Sequence, residues 1–229
     1  MSGTGDGPGP GILALVGGAE WTEGCSFDSR LLTAGGGEVL VLPTAAAYEH
    51  PERAVHHAME WFGHLGGRAV GLMVLGRRDA EEPSNAETVR QAGFIYLSGG
   101  SPLHLRSVLK GSRVWQAIFE SWESGAVVAG SSAGAMVLTD PMVDPRGGAF
   151  TLGLGLVEQL SIIPHYGSDV DEKAHRRTIS LAAKGLPVAG VPEKTALIRE
   201  RDGSWVVEGQ REVEIFVDGK PAEFSVLPT

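Results

Sequence analysis

The feature that most constrains this chain is an alternation. Short apolar runs, too brief to be helices, recur between segments whose apolar residues fall at helical spacing. Gly11–Val16, Glu38–Leu42, Ala69–Leu75, Phe94–Leu97 and Ala126–Gly130 are rich in Val, Leu, Ile and Ala, with little polar alternation. Between them, Glu52–Leu65 places Val55, Met59 and Phe62 on one helical face, with Pro51 near its start and Gly66-Gly67 past its end. Asn85–Ala92, Leu103–Leu109 and Val114–Trp122 read as further helices. A strand without a polar face needs cover on both sides, so the pattern predicts an α/β fold, a mostly parallel sheet with helices on both faces. Ligands of such sheets bind beyond the carboxyl ends of the strands. Three of those ends are small and polar: Gly17-Gly18, Ser98-Gly99-Gly100 and Gly130-Ser131-Ser132.

After residue 150 the pattern changes. Leu160–Pro164 and Pro187–Val191 read as buried strands, Asp171–Ala183 as a helix, and the chain from Thr195 onward as an antiparallel meander. Asp202-Gly203 and Asp218-Gly219 mark its hairpin turns. With no internal repeat and no linker, residues 11–229 are expected to form a single domain, behind a flexible Gly/Pro-rich tail, Met1–Pro10. The 42% hydrophobic and 21% charged content supports a sizeable core and excludes extended disorder. A net charge of −9 argues against nucleic acid or an anionic membrane as partner. The early apolar run Ile12–Val16 is too short for a signal segment or a spanning helix. The single cysteine, Cys25, makes neither an internal disulfide nor a cysteine-rich zinc site, so a cytoplasmic protein is expected. The sequence leaves monomer and homodimer open.

The strongest chemical signal is Gly130-Ser131-Ser132-Ala133-Gly134-Ala135, which fits G-x-S-x-G with Ser132 in the nucleophile place. A buried strand precedes it and a helical start follows, the context that lifts a serine hydroxyl above a sheet. The Ala133 amide, at the start of that helix, is placed to face an oxyanion. A tight turn or a phosphate-binding turn is the plainer reading of the same residues.

A serine hydroxyl needs a base. His56, Glu60 and His64 share a face of one helix and read as solvated, as does His175 among Glu172, Lys173, Arg176 and Arg177. His104 lies in the helix after the Gly99-Gly100 loop, near the site but not its base. His165, in Ile163-Pro164-His165-Tyr166-Gly167, stands just past a buried strand and is the preferred base. For a carboxylate to orient it, Glu193 follows another buried strand, while Asp140 and Asp144 follow the nucleophile helix. Gly100 offers a second oxyanion donor, and a simple turn accounts for the glycine pair equally well.

In order along the chain, Leu97-Ser98-Gly99-Gly100, the Gly130–Ala135 elbow, Pro164-His165-Tyr166 and Gly190-Val191-Pro192-Glu193-Lys194-Thr195-Ala196-Leu197 resemble the serine peptidase family of aspartyl dipeptidase (peptidase E) and cyanophycinase. The resemblance implies a flavodoxin-like, class I glutamine amidotransferase-like fold with C-terminal antiparallel strands. It implies Ser132 as nucleophile, His165 as base, and Gly100 and Ala133 as oxyanion donors. Glu193 matches the acid of the cyanophycinase branch and is the favoured third member of a Ser-His-Glu triad, with Asp140, the nearest counterpart of the dipeptidase acid, as the alternative. Gly99 and Ser101 fall in the substrate loop, and Arg176 and Arg177 in the helix where the dipeptidase branch carries its aspartate-binding arginine. Two departures stand out: Ser101-Pro102 replaces the Asn or Asp that usually follows the glycine pair in the family, and Ile163-Pro164 stands where the cyanophycinase branch carries a polar Asp-Gln pair.

The function so implied is a serine peptidase cleaving a peptide or isopeptide bond in a small peptide, with no metal and no organic cofactor. Two alternatives are a non-peptidase ester or amide hydrolase and an inactive small-molecule-binding homologue.

Overall fold

The structure, a computed structural model, describes residues 9–146, 149–168 and 172–229. Met1 to Pro8 of the expected tail lie outside them, as does Asp171 at the start of the last expected helix. In chain order the elements are β1 (Leu13–Val16), α1 (Phe27–Ala34), β2 (Glu38–Leu42), α2 (Pro51–His64), β3 (Arg68–Gly71), α3 (Arg77–Glu81), α4 (Pro83–Arg90) and β4 (Phe94–Leu97). Then come α5 (Pro102–Leu109), α6 (Arg113–Glu123), β5 (Val127–Ser131), α7 (Ala133–Leu138), β6 (Thr139–Asp140), β7 (Met142–Val143), β8 (Phe150–Thr151), β9 (Val157–Glu158) and β10 (Ser161–Ile163). The chain ends with α8 (Glu172–Leu181), β11 (Val188–Gly190), β12 (Thr195–Arg199), β13 (Trp205–Gly209), β14 (Glu214–Val217) and β15 (Lys220–Ala222).

The main sheet runs β13-β12-β1-β5-β4-β2-β3. Its β1, β5, β4, β2 and β3 are parallel, and β12 and β13 add an antiparallel edge beside β1. Period-two geometry divides each strand between two cores. Leu13, Leu15, Ile95, Leu97 and Val128 face one side, with residues of α5, α6 and α7. Ala14, Val16, Phe94, Tyr96, Val127 and Ala129 face the other, against Phe27 and Leu31 of α1 and Ala58 and Phe62 of α2. Both faces are covered, which is why these strands read as unbroken apolar runs. A second sheet, β10-β11-β14-β15, joins the first core through Ile162, Val188, Ala189 and Ile215.

Three expectations need correction. The third strand ends at Gly71, not Leu75, because its partner β2 stops before Pro43. Val74 turns away, and its carbonyl accepts the Thr44 hydroxyl at 2.7 Å. The C-terminal meander is divided between sheets: β12 and β13 extend the main one, while β14 and β15 complete the second. Finally, α1 and α3 were not foreseen. The first is short, with only Phe27, Leu31 and Leu32 to mark its buried face; the second is polar and starts where Asp79 accepts from the Leu75 and Gly76 amides.

Candidate active site

At the end of β5 the chain turns sharply into α7. Ser132 sits on that turn with φ 48° and ψ −105°, a conformation unfavourable for a residue with a side chain. The turn is held from both sides: the Ser132 N–H donates to Val16 O at 2.9 Å, and Ser132 O accepts from Met136 N–H at 3.0 Å. The flanking glycines are required by close packing. A Cβ on Gly130 would lie 2.5 Å from the Gly134 carbonyl carbon, and one on Gly134 2.3 Å from Leu97 O.

The other partners arrive from the second sheet. The parallel strands β10 and β11 end side by side, and the end of β1 fixes both loops that follow. Gly17 O accepts from the His165 N–H at 2.8 Å, and Gly18 O from the Lys194 N–H at 2.9 Å. His165 and Lys194 both take positive φ, 53° and 56°, at these contacts. The result is a hydrogen-bonded line across two sheets. Ser132 Oγ lies 2.9 Å from His165 Nε2, and His165 Nδ1 lies 2.8 Å from Glu193 Oε1. In the tautomer that fits, Nδ1–H donates to the carboxylate and Nε2 accepts from the hydroxyl. His165 and Glu193 are half exposed, with side-chain accessibilities of 41% and 50%.

The glycine loop borders the same place. A Cβ on Gly99 would lie 3.7 Å from Ser132 Cβ, and Gly100, at φ 134°, packs so closely on Ala45 that a Cβ would meet its carbonyl oxygen at 2.4 Å. Ala133 is the first residue of α7, where an N–H has no partner within its own helix. Ser101 caps α5: its Oγ accepts from the His104 N–H at 3.3 Å.

Several candidates fall elsewhere. Asp140 Oδ1 accepts from the Gly153 N–H at 2.7 Å, and the described residues give it no bond to His165. Arg176 is exposed and pairs with Glu172 at 3.1 Å, one turn back on α8. Arg177 is exposed as well. The face of α8 that looks inward carries Ala174, His175 and Thr178, which line a cavity beside His165, so the two arginines do not reach it. His175, read as a surface residue, is half-buried there and stacks on Tyr166 at 5.6 Å. His104 Nε2 meets Leu75 O at 2.9 Å. His56 pairs with Glu60 on an exposed face of α2. Cys25 is buried against α1, and burial pushes its thiol up. Among the described residues no three His, Cys, Asp or Glu side chains gather to hold a metal ion. No helix among them is long and apolar enough to cross a membrane.

One residue escaped the sequence reading. Glu20 Oε2 accepts from the Ser131 hydroxyl at 2.7 Å, and Oε1 from the Gly99 N–H at 2.9 Å. Its carboxylate therefore ties the residue before Ser132 to the residue before Gly100. The available signal was its place, two residues past the Gly17-Gly18 strand end on the binding edge of the sheet.

Residues 14–206 match the profile of Peptidase family S51. The chain belongs to that family. It is a serine-type peptidase, with the mostly parallel α/β architecture of its structural neighbours. A solved peptidase from an acI-B1 Actinobacterium is similar over 94% of each chain, with 31% identity and a TM-score of 0.84. A putative peptidase E protein from Listeria monocytogenes EGD-e shares the fold at a TM-score of 0.66 and 19% identity, over 91% of this chain and 98% of that one. Cyanophycinases from Synechococcus elongatus and Thermosynechococcus vestitus are each 28% identical over 94% of this chain and 70% of theirs.

Proposed function

We propose that this S51 peptidase hydrolyses a peptide or isopeptide bond in a small peptide through Ser132, His165 and Glu193. The observation that supports it is the line Ser132 Oγ–His165 Nε2, 2.9 Å, and His165 Nδ1–Glu193 Oε1, 2.8 Å. Ser132 Oγ attacks the carbonyl carbon while Nε2 takes its proton. Glu193 keeps the ring in the receptive tautomer and stabilises the imidazolium. The developing oxyanion is met by the Gly100 and Ala133 amides, which are fixed by the backbone and need no reorganisation. The C–N bond breaks as His165 returns the proton to the leaving amine. Water, deprotonated by the same ring, then releases the acid from the acyl-enzyme.

The names of the relatives, cyanophycinase and peptidase E, favour small peptides or peptide-chain ends as substrates. The test is turnover of a mixed dipeptide library, including Asp-X and β-aspartyl peptides, by wild type and Ser132→Ala. Cleavage reduced roughly 10⁴-fold or more by the substitution is expected. A folded Ser132→Ala protein that keeps its activity overturns the assignment of the nucleophile.

A further inference from the structure

The cavity beside His165 has a volume of about 640 Å³, within the usual range for ligand pockets. His165 and Glu193 form part of its wall, so it opens directly against the imidazole. Of the other described lining residues, Met136, Val143 and Ile163, all buried, and Pro145, Pro164 and Ala174 are apolar, while Ser168, His175 and Thr178 add uncharged polar groups.

Its charges are already engaged. The only Lys or Arg among the described lining residues is Arg146, and Asp144 holds that guanidinium through both carboxylate oxygens, at 3.0 Å to Nε and 2.6 Å to Nη2. Glu193 is bound to His165. A substrate carboxylate entering this space leaves water, meets two carboxylates, and finds its one strong cation already paired. An apolar side chain meets surface that gains by being covered.

We propose that this cavity is a side-chain pocket for an uncharged apolar residue flanking the scissile bond, so that the preferred substrates are small apolar peptides, not aspartyl or β-aspartyl ones. The proposal rests on the reading of Ser132 and His165 given above. Ile163 and Pro164, the two residues before His165, are two of its walls, and Arg176 and Arg177 are not among its lining residues.

The deciding experiment is calorimetric binding of matched dipeptides to Ser132→Ala, with Leu, Met or Phe set against Asp, β-Asp, Lys and Arg at each position in turn. Apolar peptides are expected to bind at least about tenfold more tightly than acidic ones, the lower end of what burying one such side chain yields. The kcat/KM values of wild type should follow the same order. Ala174→Arg, which places a cation on the lining, should shift the acidic-to-apolar ratio about tenfold towards acid. Equal or tighter binding of acidic or basic peptides overturns the proposal.

Labelling of wild-type Ser132 by a fluorophosphonate keeps the two readings apart. A labelled enzyme that prefers aspartyl peptides overturns the pocket alone. Failure to label overturns the catalytic reading, and peptide binding to Ser132→Ala still decides the pocket.

Discussion

Ser132 stands on the parallel main sheet, whereas His165 and Glu193 stand where two neighbouring strands of the smaller sheet end. The first region builds its site locally. Strand β5, the strained turn and α7 are consecutive, and Gly130 and Gly134 set their spacing within a few residues. The second region builds at a distance. His165 and Glu193 are separated by 28 positions, and they meet because β10 and β11 pair in parallel with Ile163 opposite Gly190. The two regions are joined by Gly17 and Gly18, whose carbonyls hold the backbones of His165 and Lys194. A local site depends on turn chemistry; a distant one depends on register, and a single shift of register would move its side chains to the other face.

The largest expected effect comes from removing the distant half. His165→Ala should lower kcat/KM by roughly 10⁴-fold or more, while thermal stability changes little, because the ring is half exposed. Peptide hydrolysis and a melting curve on the same sample check both parts. Retained activity would show that another group serves Ser132.

A subtler break acts on the joint. A Cβ on Gly18 would lie 2.3 Å from His165 Cε1 and 2.7 Å from Nδ1, and Gly18 has φ 127°. Gly18→Ala should push the imidazole out of line and cost about 100-fold in kcat, the usual effect of a displacement near 1 Å. It should also cost roughly 1–2 kcal/mol of stability through the unfavourable backbone. Kinetics and denaturant unfolding measure the two losses separately. An unchanged kcat would mean that Gly18 does not set the position of the ring.

These two halves were unequally legible in the sequence. The Ser132 elbow is a contiguous motif with its own strand and helix, so pattern alone located it. His165 is one of several histidines, and the pattern alone offers Asp140 and Asp144 beside Glu193 as its carboxylate; the pairing of β10 with β11 brings Glu193 to the ring. The strands of the main sheet were readable because both faces are buried. The direction of Arg176 and Arg177 was not, because α8 is a mostly polar helix whose inward face is only a few residues wide. Glu20 was missed because its role depends on two contacts, Ser131 and Gly99, that are remote in sequence.

The regions should also differ in their response to pH. Beneath the main sheet Asp28 is fully buried. Its Oδ2 accepts from Trp61 Nε1 at 2.8 Å, and Oδ1 has no partner among the described residues. Desolvation pushes its pKa up to about 7. Beside the cavity the reverse holds: hydrogen bonds from Arg146 bring Asp144 down to about 2. A folded-state pKa above the unfolded one gives stability that is present below the unfolded value and lost as pH rises through the folded one. For Asp28 that window runs from about 4 to about 7. Asp28→Asn cannot ionise, so its stability relative to wild type should rise by roughly 2–4 kcal/mol across the window. Urea unfolding of both proteins at several pH values measures it. A constant difference from pH 4 to 8 would show that Asp28 does not titrate there.

The smallest effect sharpens the local half itself. Glu20 holds Ser131 and Gly99 with one carboxylate, and so sets the distance between the Ser132 turn and the glycine loop. If the Gly100 amide meets the oxyanion, that distance counts in the transition state more than in the bound substrate. Glu20→Ala should then lower kcat about tenfold and leave KM nearly unchanged, which is the pattern of an interaction made mainly in the transition state. Glu20→Gln should restore most of the loss. Its carbonyl oxygen can accept from the Gly99 N–H, and its amide can donate to the Ser131 hydroxyl, so the tie survives without the charge. A rise in KM at constant kcat would move Glu20 to substrate binding. Failure of glutamine to rescue would mean that the negative charge, not the bridge, is what the site uses.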